Sequence, residues 1–115
     1  MVANYIPEKG DIVWLDFTPQ SGHEQRGRRP AVVLSKKNYN QKIGLAVFCP
    51  ITSKEKGYPF EVKLNGVKIS GCILSDQVKS LDWTQRNIEY IEKCTNEIIE
   101  EVVSKFLLGH VKYFV

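Results

Sequence analysis

Over most of its length the chain alternates short apolar runs with turn signals rich in Gly, Pro and Asn. That rhythm marks a β protein of short strands. Asp11–Asp16 (DIVWLD) reads as a first strand, nearly continuously apolar from Ile12 to Leu15. Residues 17–29 read as a long polar loop. Ala31–Ser35 reads as a second strand with both faces buried, because its apolar residues do not alternate with polar ones. Lys36–Asn40 fits one helical turn, and Gly44–Ile51 a third strand. Phe60–Leu64 and Lys68–Ser75 flank Leu64-Asn65-Gly66. The Asn-Gly pair predicts a tight hairpin turn with positive φ at both positions. Asn87–Glu92 reads as a later strand.

The tail changes period. Ile98, Ile99, Val102, Val103, Phe106 and Leu107 recur at helical spacing, with Glu97, Glu100, Glu101, Ser104 and Lys105 opposite. Thr95 or Asn96 can cap the start, the early glutamates suit the positive end of the helix dipole, and Gly109 can end it. Closely spaced strands plus one amphipathic helix predict a mainly β fold, an SH3-like small barrel of five to seven strands with a C-terminal α-helix. A βαβ arrangement is not expected.

At 115 residues, a single domain spanning 1–115 is expected. Apolar content of 43% and charged content of 25% are ordinary for a folded chain and argue against disorder. No apolar stretch approaches the ~20 residues of a membrane span. The N-terminus lacks an apolar signal core, so secretion is not expected. Cys49, Cys72 and Cys94 are odd in number and widely spaced, which favours small core thiols in a reducing cytoplasm over a disulfide framework. The net charge of +3 says little, but its distribution says more. Arg26, Arg28, Arg29, Lys36, Lys37 and Lys42 crowd the stretch after His23 against Glu24 alone, whereas acid outweighs base from Asn87 to Lys105. One end should attract a polyanion.

Three stretches carry candidate chemistry. In EQRGRRPAVVLS, residues 24–35, clustered arginines are commonly just a solvated loop. Here Pro30 biases Arg29 toward extended backbone, and the strand behind it is rigid core, so Arg29 is a guanidinium on a stiff mount. A fixed planar cation suits phosphate recognition. In CPITSKEKGYPFEV, residues 49–62, the hydroxyls of Thr52 and Ser53 should emerge at a strand end beside Lys54, Lys56, Tyr58 and Phe60. They are either turn residues or part of an edge where phosphates meet charge and bases stack. In LSDQVKS, residues 74–80, Asp76 and Gln77 either cap a turn or read base edges, with Lys79 near phosphate. His23 and His110 are distant in sequence, and no Cys/His/carboxylate spacing suggests a metal site. No cofactor is expected.

GDIVWLDF, EQRGRRPAVVLS, PITS-x-x-KGYPFEV and LSDQVKS, in that order and spacing, resemble the MazF/PemK family of toxin endoribonucleases over roughly residues 1–83. The resemblance implies a cytoplasmic homodimer that cleaves single-stranded RNA without metal. It also implies a cognate MazE-like antitoxin whose disordered C-terminal segment neutralises it. Any autoregulatory DNA binding would run only through the antitoxin complex. Matched residue by residue, the catalytic arginine is Arg29, the catalytic threonine Thr52, and the loop glutamate important for activity Glu24. RNA contacts are expected from Phe17, His23, Gln25 and Arg28, from Ser53, Lys56 and Tyr58, and from Asp76, Gln77 and Lys79. His23 is a second candidate base. A gyrase-poisoning toxin of the same fold, acting through the C-terminal helix and the tail HVKYFV, is a competing reading. So is a non-catalytic SH3-like binding module.

Overall fold

The computed structural model describes residues 5–18 and 27–109. Seven strands form one curled antiparallel sheet: β1 (Asp11–Asp16), β2 (Arg28–Val33), β3 (Ala46–Thr52), β4 (Glu61–Asn65), β5 (Ser70–Leu74), β6 (Lys79–Leu81) and β7 (Glu89–Lys93). The hydrogen-bonded order is β4-β5-β3-β2-β1-β7, with β6 also pairing with β3. Two α-helices, α1 (Lys37–Ile43) and α2 (Asn96–Gly109), and a 3-10 turn at Trp83–Gln85 are the other elements among the described residues. The architecture is the expected one: mainly β, a half-barrel closed by a C-terminal helix.

The continuous apolar runs have a direct cause. The central strands send alternate side chains into two separate cores. Ile12, Val32, Cys49 and Ile51 join Val62, Leu64, Ile73, Ile99 and Val102 on the face covered by α2. Val13, Leu15, Ala31, Val33, Ala46 and Phe48 form a second cluster, packed against Tyr5, Phe17, Leu81, Trp83 and Ile88. Each fully buried aliphatic side chain is worth about 1.5–3 kcal/mol of apolar burial, so a strand serving both faces contributes twice. All three cysteines are buried and free. Burial, with Asp76 nearby, pushes the Cys49 thiol up to about 12.

Strand β3 is the spine. One edge pairs with β2, through Ala31↔Pro50, Val32↔Cys49 and Val33↔Phe48. The other edge pairs first with β6, through Ala46↔Leu81 to Phe48↔Lys79, and then with β5, through Ile51↔Ile73 and Thr52↔Cys72. Pro50 occupies the handover between those two ladders, where its missing N–H interrupts neither.

Several boundaries differ from expectation. Strand β2 starts at Arg28, because Arg28, Arg29 and Pro30 pair with Asp16, Leu15 and Trp14 of β1. Ser35 leaves the strand: its hydroxyl accepts from Val47 N at 2.8 Å and donates to Asn40 Oδ1 at 2.6 Å. The single helical turn is a seven-residue helix, closed by Gly44 at φ 80°. Asn40 on that helix is fully buried, with Nδ2 donating to Pro7 O and Ser35 O. The β4–β5 turn is not the tight Asn-Gly type, since neither Asn65 nor Gly66 has positive φ. Instead the N–H groups of Val67, Lys68 and Ile69 all donate to the Glu92 carboxylate, at 2.8–3.1 Å. A side chain from β7 therefore shapes the turn, which a local pattern does not register. Strand β6, inside the LSDQVKS stretch and the residue after it, was not expected.

Helix α2 starts as foreseen, with Thr95 Oγ1 accepting from Ile98 N at 3.3 Å. Its stripe is rotated, however. Leu107 is exposed, while Lys105 turns inward and donates from Nζ to Glu61 O at 2.9 Å.

Burial pushes the Glu92 carboxyl up, but the bonds from Ile69, Lys68 and Val67 outweigh it and hold the group below the ordinary carboxylate range. Such a group stabilises the fold fully above the unfolded-state value of about 4.3 and loses that contribution as pH falls through its lower folded-state value. Urea denaturation across acid pH should show stability falling over this window. Glu92→Gln should be less stable at neutral pH and show a shallower acid limb.

Candidate active site

The β2–β3 ladder ends at Ala31↔Pro50. Carrying that register two residues further sets Arg29 opposite Thr52, on the same face of the sheet. In the structure Arg29 and Thr52 line one open cavity of about 320 Å³. Lys54, Lys56, Tyr58, Glu61, Leu74 and Gln77 complete its wall. A second cavity of about 290 Å³ shares Arg29 and Gln77 and adds Phe17, Pro50 and Lys79. The two form one groove running over the ends of β2 and β3.

The local chemistry of the pair is well defined. Arg29 is exposed and ends a stiff strand. Thr52 Oγ1 accepts a hydrogen bond from Lys54 N at 3.1 Å. That bond occupies an oxygen lone pair and leaves the hydroxyl proton available to an incoming acceptor. Lys56 Nζ stands 6.0 Å from the centre of the Tyr58 ring. Among the described residues lining the groove, Arg29, Lys54, Lys56 and Lys79 are cationic and Glu61 is the only carboxylate. The groove therefore presents an electropositive wall with an aromatic face, suited to a phosphodiester strand.

Of the expected RNA-contacting residues, Phe17, Lys56, Tyr58, Gln77 and Lys79 line the groove. Arg28, Ser53 and Asp76 do not. Arg28 alternates with Arg29 along β2, and its guanidinium donates to Asp16 Oδ1 at 3.0 Å, Glu89 Oε1 at 3.1 Å and Asn87 O at 2.9 Å. It is a structural cation, not part of a mobile loop. Burial pushes the Asp16 carboxyl up, yet the bonds from Asn87 and Arg28 prevail and hold it low. Asp76 turns inward, its Oδ1 buried with no hydrogen-bond partner. Glu24, His23 and Gln25 lie outside the described residues, as does the tail from His110.

Sequence reasoning missed Glu61, Leu74 and Pro50 as groove residues. Within strand-like runs they carry no local mark of function. It also missed a cluster that folding assembles: ligand atoms of Glu55, Glu61 and Cys72 lie within 4.8 Å of one another. Both Glu61 oxygens already accept N–H bonds, and Glu55 pairs with Lys63 Nζ at 3.4 Å. These carboxylates thus have protein partners of their own.

The family described as PemK-like, MazF-like toxin of type II toxin–antitoxin system matches residues 8–108. The chain is 52% identical over 86 residues to endoribonuclease toxin MazF of Escherichia coli (strain K12), covering 75% of this chain and 78% of that protein. Endoribonuclease toxin ChpB of the same strain is 35% identical over 109 residues, covering 90% and 93%. Among solved structures, MazF (Form-I) from Deinococcus radiodurans superposes with a TM-score of 0.82 at 50% identity, covering 92% of this chain and 99% of that one. MazE-MazF (Form-II) from the same organism matches with a TM-score of 0.80 at 44% identity, covering 92% and 98%.

Gly71 governs the approach of β5 to the end of β3. It adopts φ 150°, and a Cβ built there would overlap the Thr52 carbonyl oxygen. Gly71→Ala must push β5 away from the end of β3. A stability loss of about 2–4 kcal/mol by chemical denaturation is the expected result. An unchanged midpoint would show that the two strands part without cost.

Proposed function

The chain belongs to the PemK-like, MazF-like toxins of type II toxin–antitoxin systems, and from that premise we propose that it is an endoribonuclease that cuts single-stranded RNA at short sequences without a metal ion. The observation that carries the reading is the shared cavity of Arg29 and Thr52 inside a lysine-lined groove. Cutting mRNA would stop translation and growth. The MazE-MazF structures from Deinococcus radiodurans support a MazE-like antitoxin as the neutralising partner, and a basic groove suits an acidic, disordered antitoxin segment. A homodimer in the cytoplasm completes the proposal. No described helix is long and apolar enough to cross a membrane.

The reaction needs three services. The 2′-OH must lose a proton, its oxygen must form a bond to phosphorus as the P–O5′ bond breaks, and the leaving 5′-oxygen must gain a proton. Charge on the phosphorane rises between those events. In this reading Arg29 neutralises it. As a guanidinium cation it acts as an electrostatic stabiliser and a hydrogen-bond donor near the leaving oxygen. Thr52, its oxygen already bonded by Lys54 N–H, donates to a nonbridging oxygen. Glu24 is the proposed base or its orienter, with His23 as the alternative, whose ordinary pKa of ~6.5 suits the task. Phe17, Lys56, Tyr58, Gln77 and Lys79 hold the strand, phosphates to the cations and bases to the rings.

Two measurements test this reading. Arg29→Ala should lower the cleavage rate by about 10²–10³-fold and Thr52→Ala by about 10²-fold, while RNA affinity falls by less than about tenfold. Near-wild-type rates in both variants would remove the mechanism. Separately, cleavage should persist in excess EDTA and leave 2′,3′-cyclic phosphate and 5′-OH ends. A 5′-phosphate product would point to hydrolysis instead.

A further inference from the structure

The loop from Ser53 to Phe60 forms the outer wall of the groove and carries Lys54, Lys56 and Tyr58. It has no regular secondary structure of its own, and one side chain organises it. Glu61, at the start of β4, is only 8% exposed. Its Oε2 accepts from Lys56 N at 3.0 Å and its Oε1 from Gly57 N, also at 3.0 Å. Two consecutive N–H groups thus clasp one buried carboxylate, in a turn closed by Gly57 at φ 82°. Charge-assisted bonds of this kind are about twice as strong as neutral ones.

We infer that Glu61 is a positioning residue for substrate binding: its carboxylate latches the Ser53–Phe60 loop so that Lys54, Lys56 and Tyr58 face the groove. The inference rests on the RNA-cutting reading above. The latch is separable from the strand that bears it. Glu61 N donates to Tyr58 O at 3.2 Å, and Glu61 O accepts from Lys105 Nζ at 2.9 Å, so the backbone stays anchored when the side chain changes. It is also separable from Arg29, which sits on β2. Releasing the latch should loosen the grip on RNA while leaving the Arg29 guanidinium in place.

Glu61→Gln presents an NH₂ where one N–H needs an acceptor, so one bond is lost and a donor faces a donor. The expected effect on a short RNA is a KM raised about tenfold with kcat changed less than about threefold. The salt dependence should also weaken. With a slope near −0.7 per phosphate contact on single strands, freeing one or two lysines should reduce it by about 0.7–1.4. A purely structural role would lower the melting temperature and leave the slope alone. Gly57→Ala is the second variant. Its Cβ would meet nothing within 4 Å, so only the positive φ is strained, and it should move KM and slope the same way. Wild-type KM and slope in folded Glu61→Gln, or in Gly57→Ala should Glu61→Gln not fold, would overturn the inference. Hydrogen exchange separates it from the functional reading: the Lys56 and Gly57 amides should exchange slowly in the wild type and fast in Glu61→Gln. If the wild type cuts no RNA, the functional reading fails, and unchanged exchange overturns the latch as well.

Discussion

The register of β2 against β3 is the constraint on which the site depends. Because side chains in a strand repeat every two residues, Arg29 shares a face with Ala31 and Val33, and Thr52 with Phe48 and Pro50. Ala31, Val33 and Phe48 of that series are buried together in one core cluster. Burial there fixes the register: a slip of one residue would carry Val33 and Phe48 out of their cluster and turn Arg29 and Thr52 away from each other. The same burial that holds the sheet together therefore aims the two polar groups at its end. The ladder stops at Ala31↔Pro50, and beyond it the two strands line an open cavity.

Three arginines near the end of β1 meet two different fates. Arg28 is spent on Asp16, Asn87 and Glu89. Arg86, far away in sequence, pairs with Asp82 and donates to the carbonyls of Asp16 and Phe17 at 3.1 and 2.8 Å. These two secure the end of β1, where the chain leaves for the first loop. Arg29 alternates away from Arg28 and stands exposed in the groove. Adjacent charges of one sign thus serve opposite faces, and mutual repulsion is reduced because the anions around Arg28 compensate it.

Sequence alone made much of this legible, and the exceptions share a cause. Strand β1 and helix α2 were readable because their periodicity and caps are local. The pairing of Arg29 with Thr52 was implied by the motif resemblance before any register was known. What failed to show was whatever depends on a partner distant in the chain. Asn65-Gly66 looks like a tight turn, but Glu92 on β7 supplies three acceptor bonds that favour another conformation. Lys105 reads as surface until β4 offers it the Glu61 carbonyl. Arg28 reads as a loop cation and RNA contact until Asp16 and Glu89 are beside it. Asp76 reads as an exposed turn residue, whereas folding buries one of its oxygens. In the first three cases a nonlocal polar contact overrides a local preference worth about 1 kcal/mol or less.

The groove divides its labour between elements of unlike rigidity. Arg29 and Thr52 end strands whose apolar neighbours are fully buried, so their separation is set by the core and resists small perturbations. The lysines and Tyr58 ride on a loop whose residues 53–59 are exposed and which is held by hydrogen bonds to Glu61. Transition-state stabilisation rewards fixed dipoles, because reorganising them during the reaction costs energy. Gripping a flexible strand of varied sequence rewards adaptable cations on long stems, for which Lys is better suited than Arg. The distribution of residue types follows that division: arginine stands at the stiff position and lysines stand along the rim. Under the proposed function, a partner competing for the groove would need only to engage the rim and cover Arg29. It need not distort the strands, whose geometry the two cores hold whether or not the groove is filled.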